Sequence, residues 1–365
     1  MEQKVLNVGI IGLGEVAQVL HLPVLESLPQ LYRISALCDI SPKLVAYMGE
    51  KYRVDSLYTD ASGLVKQADL DVVFVLNSDE YHAECAIAAA DNKKHVLIEK
   101  PMSLTEAEAD AIIEAQKRNN VKMMVGYMRR YASSFVEAVK EIGGFDKIQY
   151  ARVRDIIGPN SYFVKPTSHV VFFDDIPEEL KKDKQDRAER LVKEATGIDA
   201  SSPYFSFYRL LCGLSSHDLS AMREAIGMPK GVVGAKLTNN GSPFLSVIFD
   251  YDQFSVTFET GIDGQGRFDA HVEVYSTNKS VRVQYDTPYI RHLPTKLYVN
   301  ETVGENYTES VIRPTLTDPY TLELKNLYDV ITQDLTPKTT PEDYKKDLAV
   351  FKMIIDAVIE KKNKN

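Results

Sequence analysis

The chain has 365 residues, of which 44% are hydrophobic and 26% are charged. This length predicts two domains with ample apolar cores, and the composition is ordinary for a soluble globular protein. The net charge of -9 argues against nucleic acid or an anionic membrane as the main partner. No apolar run approaches the length of a transmembrane helix.

The three cysteines have neither the spacing of a metal site nor that of a disulfide framework. Cys38, Cys85 and Cys212 each lie in a segment with the pattern of a buried strand or helix, so we expect free thiols in a reducing compartment and no metal. The first strand-like run begins directly after Met-Glu-Gln-Lys, which leaves no room for a signal peptide. These features predict a cytoplasmic protein.

The stretch from Val5 to Ala17 reads V-L-N-V-G-I-I-G-L-G-E-V-A and predicts a buried strand, a tight glycine turn and a helix N-terminus. Gly12, Gly14 and Ala17 give the G-x-G-x-x-A form of the dinucleotide fingerprint. In this pattern the first glycine makes the turn, and the second lets the pyrophosphate approach the backbone and the helix amides. The candidates for cofactor contact in this turn are Gly12, Leu13, Gly14, Glu15 and Val16.

A second apolar run from Leu31 to Cys38 is followed by Asp39, roughly 20 to 25 residues after the glycines, where an acidic residue would bind the ribose hydroxyls of the cofactor. Asp39 or Ser41 is also suited to cap the helix that begins at Pro42. A carboxylate at position 39 repels a 2'-phosphate and favours NAD, while the nearby Lys43 keeps NADP open.

Apolar runs alternate with helical patterns over residues 1–127, which predicts a doubly wound parallel sheet of the Rossmann type. Pro23 should break or kink the first helix soon after it starts. Ligands of such sheets bind beyond the carboxyl ends of the strands. The further cofactor candidates that follow these runs are Asn77, His82, Glu99 and Lys100. Lys100 would place a cation in the crevice where the nicotinamide should lie, with Pro101 fixing the turn.

The periodicity changes after residue 130. Residues 231–300 contain several strand-like runs joined by short polar turns, which predicts an open, mostly antiparallel sheet with helices on one face. The dense charge of residues 174–197 predicts a solvated helical insertion. We therefore expect an α/β protein, with an NAD(P)-binding domain at 1–127 and an α+β domain for substrate binding and oligomerisation at 128–365.

The segment K-H-V-L-I-E-K-P-M-S-L-T-E-A-E-A at 94–109 resembles the signature of the Gfo/Idh/MocA oxidoreductases, the glucose-fructose and inositol dehydrogenase family. The glycine turn, H-L-P-V-L, N-S-D-E-Y-H at 77–82 and V-G-Y-M-R-R-Y at 125–131 follow in the order and spacing of that family. The resemblance is close over about the first 130 residues and loose beyond them. It implies NAD or NADP as cofactor and a homodimer or homotetramer formed through the open sheet.

The resemblance also implies a catalytic His with an Asp four residues before it. His217 fits the histidine, but Gly213 stands at the position of the Asp. Residues four apart on a helix share a face, whereas Asp218 lies about 100 degrees further round and cannot simply replace the missing carboxylate. A His base suits oxidation of a secondary alcohol, and Lys100 would stabilise the developing alkoxide. A buried or capping role for His217 and a surface role for Lys100 stay open.

Five weaker candidates lie at the ends of segments that should face the substrate crevice, and each is as easily a solvated or interface residue. These are Tyr127, Arg130, Arg154, Asp155 and Asp218. His82 is equally suited to a structural contact.

The leading hypothesis is an NAD(P)-dependent dehydrogenase or reductase acting on a secondary hydroxyl or carbonyl of a sugar, cyclitol or similar small polar molecule. Two alternatives stay open. One is a nucleotide-binding regulator without turnover, which would tolerate the loss of the Asp at position 213. The other is a redox-neutral epimerase or eliminative glycosidase that recycles its bound NAD.

Overall fold

The computed structural model describes residues 4–239 and 242–363. The chain divides into two compact units that interleave along the sequence. The first unit takes the chain up to Gly126, with Ser168–Phe205 and Glu323–Leu348, and the second takes Tyr127–Thr167, Ser206–Leu322 and the chain from Ala349. The assignment of cofactor binding to 1–127 and substrate binding to 128–365 stays a prediction.

The first unit is built on a sheet of six parallel strands. They are β1 (Leu6–Ile11), β2 (Tyr32–Cys38), β3 (Leu57–Tyr58), β4 (Val72–Val75), β5 (His95–Ile98) and β6 (Met123–Val125). Their order is β3-β2-β1-β4-β5-β6, so the winding reverses between β1 and β4. Every residue of β4 is buried, as expected where helices cover both faces of a parallel sheet. The reversal point is where such sheets bind ligands.

Helices connect these strands. They are α1 (Leu22–Glu26), α2 (Pro42–Tyr52), α3 (Ala61–Val65), α4 (His82–Asp91) and α5 (Glu106–Asn119). Helical structure begins at Glu15 and passes through a π turn at Ala17–His21 before it enters α1. The helix therefore begins directly after the glycine turn.

The rest of the chain contains seven further helices and eight further strands among the described residues. In chain order they are α6 (Ser133–Gly143), β7 (Tyr150–Ile157), α7 (Ser161–Thr167), α8 (Glu178–Thr196), α9 (Pro203–Leu210), α10 (Ser216–Ile226), β8 (Gly231–Asn239), β9 (Pro243–Asp250), β10 (Ser255–Ile262), β11 (Phe268–Tyr275), β12 (Lys279–Tyr285), β13 (Lys296–Val303), β14 (Asn306–Ile312), α11 (Pro319–Thr332) and α12 (Pro341–Asn363). The helix α8 lies within the charged segment at 174–197, and it belongs to the first unit.

The second unit contains a sheet in the order β14-β13-β12-β11-β7-β10-β9-β8. Its strands pair antiparallel except for β7 with β10. Residues of β7 alternate between partly exposed and buried, because successive side chains point to opposite faces of a sheet. The predicted α/β class, with a parallel sheet first and a mostly antiparallel one after it, is confirmed. Within residues 4–239 and 242–363, no helix is long and apolar enough to span a membrane.

Candidate active site

The glycine turn follows β1 in the first unit. Gly12 has a φ of 94°, and a Cβ there would lie 2.4 Å from the backbone nitrogen of Asn77. Both the dihedral angle and the contact therefore require glycine. A Cβ on Gly14 would meet nothing within 4 Å, so a ligand can approach the backbone at this residue. Because helical structure begins at Glu15, amides of the first helical turn are available to an anion.

Asp39 follows β2 and is bonded to the glycine turn. Its carboxylate accepts hydrogen bonds from the amides of Leu13 at 2.8 Å and Ser41 at 3.0 Å. The pKa of Asp39 is raised above its ordinary value, because burial and the nearby carboxylate of Asp175 outweigh the two amides, which act to lower it. The hydroxyl of Ser41 accepts from the amide of Leu44 and caps α2. Asp39 is therefore not the cap, and its carboxylate lies next to the turn on which a dinucleotide would bind.

Asn77 and His82 connect the turns that follow β4 and β5. The ring nitrogens of His82 lie 2.7 Å from the carbonyl oxygen of Pro101 and 3.0 Å from that of Asn77. His82 is buried, so its ring holds the two turns together. Within the described part of the chain, the buried amide oxygen of Asn77 has no hydrogen-bond partner. Such an acceptor is normally satisfied by a ligand or by water, which fits a cofactor site at this edge.

Glu99, Lys100 and Pro101 follow β5. Glu99 is buried and forms hydrogen bonds with Nε2 of His21 at 2.8 Å and with the amide of Lys100 at 3.0 Å. Burial acts to raise the pKa of Glu99, but the hydrogen bond and charge of His21 lower it below its ordinary value. Lys100 is only half-buried, and a cis peptide bond joins it to Pro101. Glu99 therefore supports the turn from inside, while Lys100 is the member of the triplet that is accessible to a ligand.

A second carboxyl group, Glu323, lies near Glu99 in the first unit. Its side chain is completely buried, and neither carboxyl oxygen has a hydrogen-bond partner among the described residues. Burial and the charge of Glu99 raise the pKa of Glu323 well above its ordinary value. The group is therefore expected to be protonated at neutral pH.

Arg129, Asp155 and Asp218 form a buried charged cluster in the second unit. Nη1 of Arg129 lies 2.5 Å from Oδ1 of Asp218 and 3.6 Å from Oδ2 of Asp155. Both carboxylates are completely buried, and Arg129 is 3% exposed. The rings of Phe268 and Tyr285 lie 5.2 Å and 5.3 Å from the guanidinium carbon. Because its charged members come from the turn before α6, from β7 and from α10, the cluster fastens these elements together.

One guanidinium balances only one of the two carboxylates. Burial and the charge of Asp155 raise the pKa of Asp218 well above its ordinary value, although Arg129 opposes this. Burial acts to lower the pKa of Arg129, but the carboxylates of Asp218 and Asp155 raise it on balance. We therefore expect Asp218 to take up a proton more readily than an exposed aspartate does. Asp155 and Asp218, which the sequence suggested as substrate contacts, are thus placed inside the unit, where they support α10.

His217 and Tyr127 lie together in the second unit. Their ring centroids are 6.1 Å apart in an edge-to-face arrangement, and both side chains are buried. Arg130 is also buried, and its Nε donates to the carboxylate of Glu224 on α10. Gly213 lies in a π turn at Leu211–Ser215, and a Cβ there would meet nothing within 4 Å. The structure therefore leaves room at the position where the resemblance predicted an Asp.

Arg154 lies on the other face of β7 from Asp155. Its guanidinium binds Glu259 at 2.8 Å and Asp269 at 3.1 Å. Arg152, two residues earlier on the same face, binds Glu259 as well. Arg154 therefore forms its ion pairs on the face of β7 opposite Asp155, and its role in substrate binding stays a prediction.

Sequence reasoning missed four residues. Gln18 donates to the carbonyl oxygen of Leu13 in the glycine turn at 2.8 Å, and His21 bonds Glu99. Arg129 carries the positive charge of the buried cluster, and Glu323 is the buried carboxyl group near Glu99. His21 lies in the H-L-P-V-L segment, whose family resemblance was the available signal. Arg129 and Arg130 are adjacent, and nothing in the spacing showed which of them pairs with Asp218. Glu323 carried no signal in the sequence. Among the residues that the structure describes, no group of His, Cys, Asp or Glu is arranged to hold a metal ion.

The chain matches known proteins most clearly in its N-terminal third. The model of an oxidoreductase family with an NAD-binding Rossmann fold, Gfo/Idh/MocA, matches residues 6–127. Inositol 2-dehydrogenase of Salmonella paratyphi B is 34% identical over 134 residues, which are 36% of this chain and 40% of that protein. Myo-inositol 2-dehydrogenase of Thermotoga maritima is 36% identical over 132 residues, which are 36% of this chain and 38% of that protein. The match therefore spans about two fifths of these curated relatives.

The similarity of fold extends much further along the chain. The solved levoglucosan dehydrogenase in complex with NADH and levoglucosan matches with a TM-score of 0.74 at 18% identity, over 98% of each chain. This level of identity supports a common fold alone. The family resemblance seen in the sequence is confirmed over residues 6–127, which match the NAD-binding Rossmann domain of the Gfo/Idh/MocA oxidoreductase family.

Proposed function

We propose that the protein is an NAD(P)-dependent oxidoreductase that transfers hydride between nicotinamide and a secondary hydroxyl or carbonyl of a sugar, cyclitol or similar small polar molecule. The observation that carries the proposal is the turn after β1, where Gly12 admits no side chain, Gly14 is open and Asp39 is bonded alongside. This arrangement fits a dinucleotide. The family match and the inositol dehydrogenase relatives support the same chemistry.

Different residues of the first unit would bind different parts of the cofactor. Amides of Gly14, Glu15 and Val16 would bind the phosphates, since the amides of Gly12 and Leu13 already donate to Cys38 and Asp39. Asp39 would accept hydrogen bonds from the ribose hydroxyls. The buried amide oxygen of Asn77 would accept a further hydrogen bond. His82 and Glu99 would act by holding the turns that carry Asn77 and Lys100.

Oxidation of an alcohol requires one group that accepts the hydroxyl proton and another that stabilises the negative charge developing on the oxygen. When bound, NAD would supply the acceptor for the hydride that leaves the alcohol carbon. We infer that His217 takes the hydroxyl proton, since an imidazole has a suitable pKa for a base at neutral pH. Lys100 would stabilise the negative charge that develops on the oxygen. The ring of Tyr127 and the charged cluster around Arg129 would keep His217 in position.

Substitution of these two residues tests the proposal. Lys100→Met and His217→Ala should each reduce turnover about 100-fold or more, while the dissociation constant of NADH stays nearly unchanged. Turnover is followed by nicotinamide absorbance with a panel of sugars, polyols and cyclitols, and binding by calorimetry. Lys117→Met is a matched control, because Lys117 is a surface residue paired with Glu342. Full activity in both active-site variants would contradict the proposed roles.

Two other results would favour the alternatives. Tight NADH binding by the unmodified protein without turnover on any substrate would favour a nucleotide-binding regulator. NAD that survives purification, together with substrate conversion that leaves the cofactor unchanged, would favour a redox-neutral epimerase or eliminative glycosidase.

We also propose a homodimer or homotetramer located in the cytoplasm. The edge strand β14 is exposed along its whole length, and the hairpin that it forms with β13 carries Val303, Tyr307 and Val311 at exposures of 66%, 60% and 53%. Exposed apolar edges of this kind are commonly covered by another subunit. The buried free cysteines suit a reducing compartment. Light scattering of the full chain measures the assembly, and a monomer would contradict this part of the proposal.

A further inference from the structure

Residues 168–177 form an irregular segment of the first unit that connects α7 to α8, and we call this segment the strap. Gln18 holds one point of it, because its side chain donates to the carbonyl oxygen of Val171 and accepts from the amide of Val171, both at 2.9 Å. Further along, Asp175 accepts from the hydroxyl of Ser41 at 2.5 Å and from the amide of Lys43 at 2.9 Å. The strap is therefore fastened at two points.

These two points flank the predicted path of the dinucleotide. Gln18 lies one turn after Gly14, and its amide donates to the carbonyl oxygen of Gly14. Ser41 and Lys43 lie just beyond Asp39, at the start of α2. Between them, the ring of Phe173 packs near that of Tyr47 on α2, with centroids 6.3 Å apart. The strap thus passes from the phosphate end of the site to the ribose end.

The carboxylate of Asp175 occupies the N-terminus of α2. A phosphate on the ribose 2'-oxygen would need hydrogen-bond donors in the segment that follows Asp39. The donors available there are the hydroxyl of Ser41 and the amide of Lys43 at the N-terminus of α2, together with the side chain of Lys43. The carboxylate of Asp175 already accepts hydrogen bonds from the Ser41 hydroxyl and the Lys43 amide. The hydrogen bond from Ser41 and the charge of Lys43 lower the pKa of Asp175, so the carboxylate stays charged at neutral pH. In the sequence, the positive charge of Lys43 left NADP as a possible cofactor. The structure shows that the carboxylate of Asp175 offsets this charge.

We propose that Asp175 is a second cofactor-selecting residue, which acts with Asp39 to exclude the 2'-phosphate of NADP and so makes the protein selective for NAD. This inference rests on the proposed function, since it concerns the same dinucleotide site. An unmodified ribose presents hydroxyl donors that a carboxylate can accept, whereas a 2'-phosphate presents a double negative charge to two carboxylates. The selectivity therefore depends on a residue that lies 134 positions beyond Ser41 in the chain.

The test compares NADH and NADPH binding in Asp175→Asn, which keeps the size of the side chain and an acceptor oxygen for Ser41 or Lys43. Dissociation constants are measured by nicotinamide fluorescence, without substrate. We expect the unmodified protein to prefer NADH, and Asp175→Asn to reduce this preference about tenfold, mainly through tighter NADPH binding. The matched control is Asp174→Asn, which removes the same charge from the adjacent, fully exposed side chain and should leave the preference unchanged.

The outcomes separate this inference from the proposed function. Binding of NADH by the unmodified protein, with the same preference in Asp175→Asn, would overturn the role of Asp175 and leave the proposed function standing. An equal loss of preference in Asp174→Asn would also overturn it, because the effect would then be one of general charge. Binding of neither dinucleotide by the unmodified protein would overturn both. Asp175→Ala provides a second variant, which should bind NADPH at least as tightly as Asp175→Asn does.

Discussion

Replacing Arg129 with methionine would remove the positive charge from the buried cluster while keeping a long apolar side chain. In the native protein Arg129 balances one carboxylate, and burial together with Asp155 raises the pKa of Asp218. Without the guanidinium, no cation remains in contact with the two carboxyl groups within the described residues. The carboxylate that Arg129 balanced must then also take up a proton for the unit to fold.

The cost of this proton uptake can be estimated from the pH. An aspartate in the unfolded chain has a pKa of about 3.9, so holding it neutral costs about 4 kcal/mol near pH 7 and about 1.5 kcal/mol near pH 5. The first value agrees with the roughly 3 to 5 kcal/mol lost when one partner of a buried ion pair is removed. The native state of the variant binds more protons than its unfolded state above pH 4. Its stability relative to the unmodified protein should therefore fall as the pH rises.

Urea unfolding at several pH values between about 5 and 7 measures this difference. The chain contains no tryptophan, so the transition is followed by far-ultraviolet circular dichroism. Arg118→Met is the matched control, because Arg118 pairs with Asp91 on the surface at 2.6 Å and such a pair contributes under about 1 kcal/mol. A loss of stability in Arg129→Met that is equally large near pH 5 and pH 7, or no larger than that of the control, would refute the reasoning.

Three further substitutions probe the first unit. Gly12→Ala should cost at least about 2 kcal/mol in unfolding free energy, because its Cβ would meet the backbone of Asn77 at a positive φ; unchanged urea unfolding would contradict this. Gly14→Ala should unfold normally yet bind NADH at least about tenfold more weakly, since the methyl group would fill space that the pyrophosphate needs; normal affinity in calorimetry would contradict this. Glu323→Gln should gain stability relative to the unmodified protein as the pH rises, by at most about 1.4 kcal/mol per pH unit, because burial and Glu99 raise the pKa of Glu323 in the folded state; a difference that does not vary with pH would contradict this.

The parts of the fold that depend on neighbours in sequence were predictable. The strand, glycine turn and helix around Gly12 follow from an apolar run, two glycines and a third small residue within a few positions. Ser41 was one of two residues predicted to cap α2, and the structure shows that it is the cap. Such features are set by local geometry, which the order of residues specifies directly.

Features that depend on distant partners were not predictable from spacing. Arg154 and Asp155 are adjacent on β7, so they point to opposite faces of the sheet. The alternation of side chains along β7 predicts that Arg154 and Asp155 lie on opposite faces. It does not predict which of the two faces packs against α10. The contact of Asp175 with Ser41 joins residues 134 positions apart, and the charge pattern of the segment gave no partner for either. A hydrogen bond between such distant residues forms only when the elements that carry them have packed.

Pro23 shows a different limit of prediction. It was expected to break or kink the first helix, but the assigned helical structure continues through it. A π turn at Ala17–His21 precedes α1, and Pro23 lies in the first turn of α1. Because the amide of Leu22 still donates to the carbonyl oxygen of Ala17, the missing amide of Pro23 falls inside the helical run, directly after the π turn. The π turn was not visible in the residue pattern.

The second π turn bears on the missing Asp at position 213. A π turn contains more residues than an α turn, so Gly213 and His217, four apart, remain on one face of the helical segment. That face carries open space at Gly213, while Asp218 turns inward to Arg129. Position 213 therefore supplies no carboxylate to orient His217. The rings of Tyr127 and His217 pack edge to face with centroids 6.1 Å apart, and the buried cluster holds α10, so both restrict the movement of the imidazole.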